Sequence, residues 1–209
     1  TSQLDFRFLN ETWPEFDIST SDGCLATTEA LTRVIWKRLE SNLNLVSLRL
    51  YEQPSLWADY LGNNMEAFLT IRKHFAAAHR LARNELSQKE NEEIYGKCAR
   101  THGHGHNYFI DITVRGEIHP RTGMICDLSL LQQLVEDLII EPFDHSFLNK
   151  DIAYFQNCVP TAENIALYIA DILKNRNIES DSKRYVINIL CVYFRNVTVF
   201  LRSCYDFIR

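Results

Sequence analysis

One segment of this chain is written twice. Asp5–Glu11 reads DFRFLNE, and Asp144–Lys150 reads DHSFLNK. Thr27–Leu39, TTEALTRVIWKRL, aligns in the same way with Thr161–Leu173, TAENIALYIADIL. The second match follows a helical period that many helices share, whereas the D-x-x-F-L-N match is not periodic and is not a product of helix composition. The second copy runs from about Asn64 to Arg209, from its start to its end. The first occupies residues 1–63 and begins at the middle of the unit. The chain therefore reads as one and a half copies of one unit.

The complete copy sets the fold class. Met65–Ile71 is a strand pattern leading to His79. Ser87–Glu90 has the S-x-x-E form of a capping box, and Gly96 is a helix stop. A strand from Tyr108 to Glu117 and a turn at His119–Gly123 follow. Leu128, Leu131, Val135 and Leu138 mark an amphipathic helix that Pro142 stops. A second helix begins near Thr161, with Ile165, Tyr168, Ile169 and Ile172 inward. Tyr185–Phe194 and Val197–Leu201 are β-forming runs. Strands and helices come in runs, so the class is α+β, an antiparallel sheet with two helices on one face per unit, ββααββ. The first copy supplies one helix, with Leu31, Val34, Ile35 and Leu39 on its apolar face. Val46, Leu48, Leu50 and Glu52 then share a face of a strand that Pro54 ends, and Trp57–Leu61 closes the copy.

Composition bounds the function. Of 209 residues, 46% are hydrophobic and 23% charged, enough for a packed core. A net charge of −5 argues against a general nucleic-acid surface. No run approaches the roughly 18 apolar residues of a membrane span. No signal peptide opens the chain, and six scattered cysteines read as a reduced, cytoplasmic protein. A start at Thr1 without methionine reads as a fragment or a processed product.

The chemistry is concentrated at Cys98–Asp111, CARTHGHGHNYFID. In an extended segment, side chains two apart share a face, so His102, His104 and His106 would project together. Imidazoles on one face suit zinc, and Gly103 and Gly105 allow the backbone a close approach. A catalytic zinc takes three protein ligands and leaves a fourth position open. His79, among the alanines of FAAAHRL, is a polar ring that needs a specific partner. A hydrogen-bonded core histidine is the other reading of it.

Taken in order, FAAAHRL, GKC, HGHGHNY, FDH at Phe143–His145 and PTAEN at Pro160–Asn164 resemble the 6-pyruvoyltetrahydropterin synthase / 6-carboxytetrahydropterin synthase family, over about Glu66–Leu173. The resemblance implies small sheets of the tunnelling-fold type that join between subunits of a homo-oligomer, with sites at the interfaces. It puts the zinc ligands on His79, His104 and His106, leaving His102 spare. It puts the catalytic cysteine on Cys98 and an Asp-His pair on Asp144 and His145. The implied substrate is a small pterin, 7,8-dihydroneopterin triphosphate, which loses triphosphate. Zn²⁺ polarises the side-chain hydroxyls, Cys98 removes a proton and His145 moves the next. The product is 6-pyruvoyltetrahydropterin or, in the sister branch, 6-carboxytetrahydropterin. Cys98 lies six residues before His104, a spacing more like the pyruvoyl branch.

The resemblance also gives Glu52 the task of gripping the amino-pyrimidine ring, through two bonds from one carboxylate. The second copy lacks this residue. No glutamate follows Glu179, and the matching position holds Cys191 or Leu201. The first copy has the reverse gap, since Phe6 stands where the second has His145. Two alternatives to an active synthase follow. One is a decayed pterin-binding or scaffolding subunit. The other is a closed structural zinc module with His102 or Cys98 as fourth ligand. Cys24, Cys126, Cys158 and Cys204 read as small hydrophobes.

Overall fold

The computed structural model describes residues 4–174 and the strand residues 179–180, 183–184, 186–194 and 197–200. The chain divides into two compact units that interleave in sequence. One comprises Thr1–Ile71, Thr113–Leu128 and Asn177–Ile187, and the other Arg72–Ile112, Ser129–Arg176 and Asn188–Arg209.

In the first unit a single turn, α1 (Leu9–Thr12), and a 3-10 turn, Pro14–Phe16, lead to α2 (Thr28–Leu39). The Thr27 hydroxyl caps α2 by accepting the Ala30 N–H at 3.2 Å, with Glu29 in the first turn and Lys37 and Arg38 in the last. β1 (Leu48–Gln53) turns over Pro54–Ser55 into antiparallel β2 (Leu56–Tyr60). The first part of β3 (Glu66–His79) pairs antiparallel with β2, Leu56 against Ile71 and Asp59 against Phe68. β2 is buried at Leu56, Trp57, Ala58 and Tyr60, as an interior strand should be. The turn after β4 (His104–Glu117) follows its expected course. His119 donates to the Met124 carbonyl, Gly123 donates back to His119, and Gly123 has φ 69°.

Two expectations fail in this unit. Of the apolar face expected on α2, only Val34 is buried, and Leu39 is exposed. The helix instead buries Glu29, Ala30, Thr32, Val34 and Trp36. Its polar residues are satisfied inside. The Thr32 hydroxyl bonds the Thr28 carbonyl at 2.6 Å, and Glu29 accepts the Ile125 N–H at 3.1 Å. The stripe ending at Glu52 is also not buried. Val46 is exposed, Leu48 and Leu50 are half-buried, and Glu52 is exposed, because β1 has only β2 beside it.

In the second unit, β3 runs to His79 and β4 starts at His104, both longer than the apolar pattern suggested. Phe75, Tyr108, Ile110 and Ile112 form the core face. α3 (Gln88–Tyr95) begins at Ser87 with a complete capping box and ends at Gly96, φ 58°. α4 (Leu128–Val135) passes through a π turn, Glu136–Ile140, into the single turn α5 (Glu141–Phe143). Pro142 lies in this last turn, and the helical run ends at Phe143, just before Asp144 and His145, as expected. β5 (Ser146–Phe147) pairs parallel with β3 at Ala77 and Ala78, and α6 (Leu148–Asp151) follows. α7 (Ala162–Lys174) buries Ile165, Ile169 and Leu173. β6 (Glu179–Ser180) and β7 (Lys183–Arg184) form a small separate ladder. β8 (Val186–Phe194) and β9 (Val197–Phe200) pair antiparallel, Cys191 against Phe200. Leu201 and Cys204 lie outside the described residues.

The repeated segments take the same local course. Phe6 and His145 both hold left-handed backbone, φ 52° and 57°. Each is followed by one α turn, then a 3-10 turn that buries a phenylalanine, Phe16 or Phe155. Each long helix then starts at a threonine. Thr161 accepts the Asn164 N–H as Thr27 accepts that of Ala30. Among the described residues no helix is long and apolar enough to cross a membrane.

Candidate metal centre

The last residue of β3 and the first three of β4 build the centre. His104 and His106, two apart on β4, present their rings to one face beside His79. Ring centroids stand 4.7 Å apart for His79–His104, 5.1 Å for His79–His106 and 4.5 Å for His104–His106. One ligand atom from each lies within 4.8 Å of the others. Nε2 of His79 faces Nε2 of His104 at 3.3 Å. Two ring nitrogens at that distance share either a proton or a cation. A tetrahedral site with bonds of about 2.0–2.1 Å spaces neighbouring nitrogens roughly 3.3 Å apart. His102 precedes the strand and does not join the cluster.

His79 is prepared as a ligand. It is 4% exposed, and its Nδ1 bonds the Pro160 carbonyl at 2.8 Å, which directs Nε2 toward the cluster. Burial lowers its pKa to about 4. The Pro160 bond opposes that shift, and His104 and His106 add to it. At neutral pH the ring is uncharged, the form that binds a metal. Gly103 is required by space, since at φ +66° a Cβ would stand 2.7 Å from both the His79 carbonyl and the Phe147 ring. Gly105 is not required, because its added Cβ would meet only the Ala77 carbonyl, at 3.9 Å. No fourth histidine, cysteine or carboxylate joins the three among the described residues. Three imidazoles suit zinc, copper, iron or nickel, and three protein ligands are the usual number for a catalytic zinc.

Cys98 sits half-buried in a 3-10 turn, Gly96–Ala99, whose backbone is tied to the end of β3 by the Leu81 N–H on the Cys98 carbonyl, 2.9 Å. Tyr108, fully buried, stacks on Phe75 with centroids 5.0 Å apart and lies 6.1 Å from His79 and 6.0 Å from His106. Burial first, and then the nearby Cys98, push its phenol up, so it stays protonated. Asp144 and His145 form the expected pair, Nδ1 to Oδ2 at 2.8 Å. The other Asp144 oxygen accepts the Ala76 N–H at 2.8 Å. That bond, and then His145, hold the carboxyl below its usual range. The His145 N–H closes on the Ala76 carbonyl at 2.6 Å, which fixes the left-handed residue and leaves its ring 85% exposed.

In the first unit the Glu52 carboxylate accepts a hydrogen bond from the Thr28 hydroxyl. Beside them Glu29 is buried, and burial pushes its carboxyl up against the lowering effect of its N–H donors. Thr28 and Glu29 were not among the residues expected from the sequence. No signal in the sequence marks them: the aligned second segment keeps glutamate at the position of Glu29, as Glu163, and only the structure shows that one is buried and the other exposed.

A family model described as 6-pyruvoyl tetrahydropterin synthase matches residues 1–63 and 68–192. A 6-pyruvoyl tetrahydrobiopterin synthase of Drosophila melanogaster is 50% identical over 105 residues, half of this chain and 62% of the fly protein. The match thus spans less than two thirds of that relative's length. A 6-carboxy-5,6,7,8-tetrahydropterin synthase of Rickettsia bellii is 30% identical over 135 residues, 57% of this chain and 88% of that one. The structure of Caenorhabditis elegans 6-pyruvoyl tetrahydropterin synthase superposes with a TM-score of 0.52 at 34% identity, over 60% of this chain and 96% of that one.

Proposed function

Because the chain belongs to the 6-pyruvoyl tetrahydropterin synthase family, we propose that it is a zinc-dependent synthase that releases triphosphate from 7,8-dihydroneopterin triphosphate. The carrying observation is the cluster of His79, His104 and His106, with His79 buried and neutral. Zinc, when bound, would supply a Lewis acid that stabilises alkoxide charge on the substrate's side-chain hydroxyls. The rest falls to the chain's own groups. Cys98 takes a proton from a side-chain carbon, and the bond from carbon to the triphosphate oxygen breaks. His145, held by Asp144, moves the second proton. The electrons stay within the substrate, so no external oxidant is needed. Glu52, braced by Thr28, grips the amino-pyrimidine edge. The pyruvoyl product is favoured by the six-residue step from Cys98 to His104 and by the higher identity to the fly relative.

The domain reading goes with it. Residues 1–63 are the C-terminal half of a first unit, and 64–209 are a complete second unit with a divergent tail. The shared local course after Phe6 and His145, and a family match that breaks at 64–67, support this. We read the working form as a homo-oligomer with sites at its interfaces, in keeping with the exposed His145 ring. Phe6 in the histidine position favours one second reading, a binding subunit without turnover.

Zinc content, turnover of 7,8-dihydroneopterin triphosphate and product mass test the proposal together. Stoichiometric zinc with a pyruvoyl product is the expected result. Stoichiometric zinc and pterin binding without turnover would replace the synthase with the binding subunit.

A further inference from the structure

A cleft of about 880 Å³ opens in the second unit between the segment after β3 and the turns around α6. Arg80, Arg83, His102 and Lys150 line it, against one acidic group, Glu85. Three of its lining residues neighbour the metal-centre residues along the chain. Arg80 follows His79, Val159 precedes the Pro160 that holds His79, and His102 stands two residues before His104. The Arg80 guanidinium is fixed by the Ala99 carbonyl at 3.0 Å and Gln88 at 2.7 Å, and these use only part of its five N–H donors. Arg83 is paired with Glu85. The Lys150 ammonium rests 5.3 Å over the Phe147 ring and has no carboxylate partner among the described residues. The repeat adds an internal comparison. At the position of Lys150 the first copy has Glu11, so the cation is confined to the copy that holds the three histidines.

Resting on the synthase reading, we propose that this cleft is an oligophosphate site that receives the substrate's triphosphate during turnover and briefly holds the released triphosphate. An extended polyanion needs several cations spread along a polar groove, and charge-assisted bonds from guanidinium and ammonium are the strong contacts for it. The volume lies within the range of small-ligand sites.

The zinc-loaded full chain should be titrated with inorganic triphosphate by calorimetry, beside Lys150→Glu and Lys150→Arg. Lys150 is exposed on a one-turn helix, so both variants should fold. Triphosphate should bind, compete with the substrate, and lose about tenfold in affinity in Lys150→Glu but not in Lys150→Arg. In turnover, Lys150→Glu should raise KM by about the same factor with kcat nearly unchanged, while binding of phosphate-free 7,8-dihydroneopterin stays as before. Absence of triphosphate binding, or equal affinity and KM in wild type and Lys150→Glu, would overturn the site. Normal turnover in that case would leave the synthase reading standing. Lys150-dependent triphosphate binding without pterin binding would sink the synthase reading and keep an oligophosphate site.

Discussion

At the scale of single residues, His79 links stability to pH. Its pKa falls from 6.5 unfolded to about 4 folded, so the unfolded chain binds more protons between those values. Stability from the neutral ring is therefore complete above pH 6.5 and is lost as pH falls toward 4. The shift corresponds to about 3 kcal/mol. Urea midpoints of metal-free protein should drop across pH 6.5–4.5, and His79→Gln should flatten that slope and abolish stoichiometric zinc. Glu52 is a different case. It is exposed and its partner is one hydroxyl, so Glu52→Gln should leave the melting temperature nearly unchanged while weakening pterin binding tenfold or more. Unchanged pterin affinity would remove Glu52 from the site. That His104 and His106 face the same way was legible from their two-residue spacing, whereas the grouping with His79 and the setting aside of His102 came from the family resemblance. Thr28 and Glu29 were not legible, because nothing local in T-T-E says that its carboxylate turns inward to a distant N–H.

At the scale of elements, two strands are longer than their apolar patterns, and the extra residues include the three clustered histidines. β4 reaches back to His104 through a glycine and a polar run that hydrophobic alternation does not register. β3 ends at His79 for the same reason. Gly103→Ala should cost about 2–3 kcal/mol, since a side chain there meets backbone at a left-handed residue. It should also speed zinc loss, because the clash falls on the His79 carbonyl. Gly105→Ala has open space and should change the melting temperature by little, so the pair of melts separates crowding at the metal from a general strand effect. The inward face of α2 departs from its apolar period on similar grounds. Periodicity counts apolar side chains, and Thr32 and Glu29 are buried through hydrogen bonds. Caps and turns did better. Ser87 with Glu90, Gly96 and Gly123 stand where their backbone requirements predict.

At the scale of the whole molecule, the repeat boundary and the compact units do different things. On the proposed domain reading the copies meet near residue 63, yet residues 64–71 and 113–128 belong to the same compact unit as residues 1–63. Phe68–Ile71 is paired along its length by β2, and Ala67, Leu69, Ile71, Ile118 and Ile125 are buried in that same unit. Residues 1–63 are therefore part of a core and not an appendage. A chain cut to residues 64–209 keeps all three histidines, Pro160 and Cys98, so it should still bind zinc stoichiometrically. It should also expose the edge of β3 and several aliphatic side chains, each worth about 1.5–3 kcal/mol when buried. Its melting temperature should fall by about 10 °C or more, with binding of a hydrophobic dye and a tendency to self-associate. The matching segments were readable from residues because they share letters. The interleaving was not, because a strand edge accepts any neighbour of the right length, and which neighbour it takes depends on the buried area that the whole chain makes available. If the shortened chain melted with the full one, that buried area would be contributing nothing, and the first half-copy would have to be an independent module.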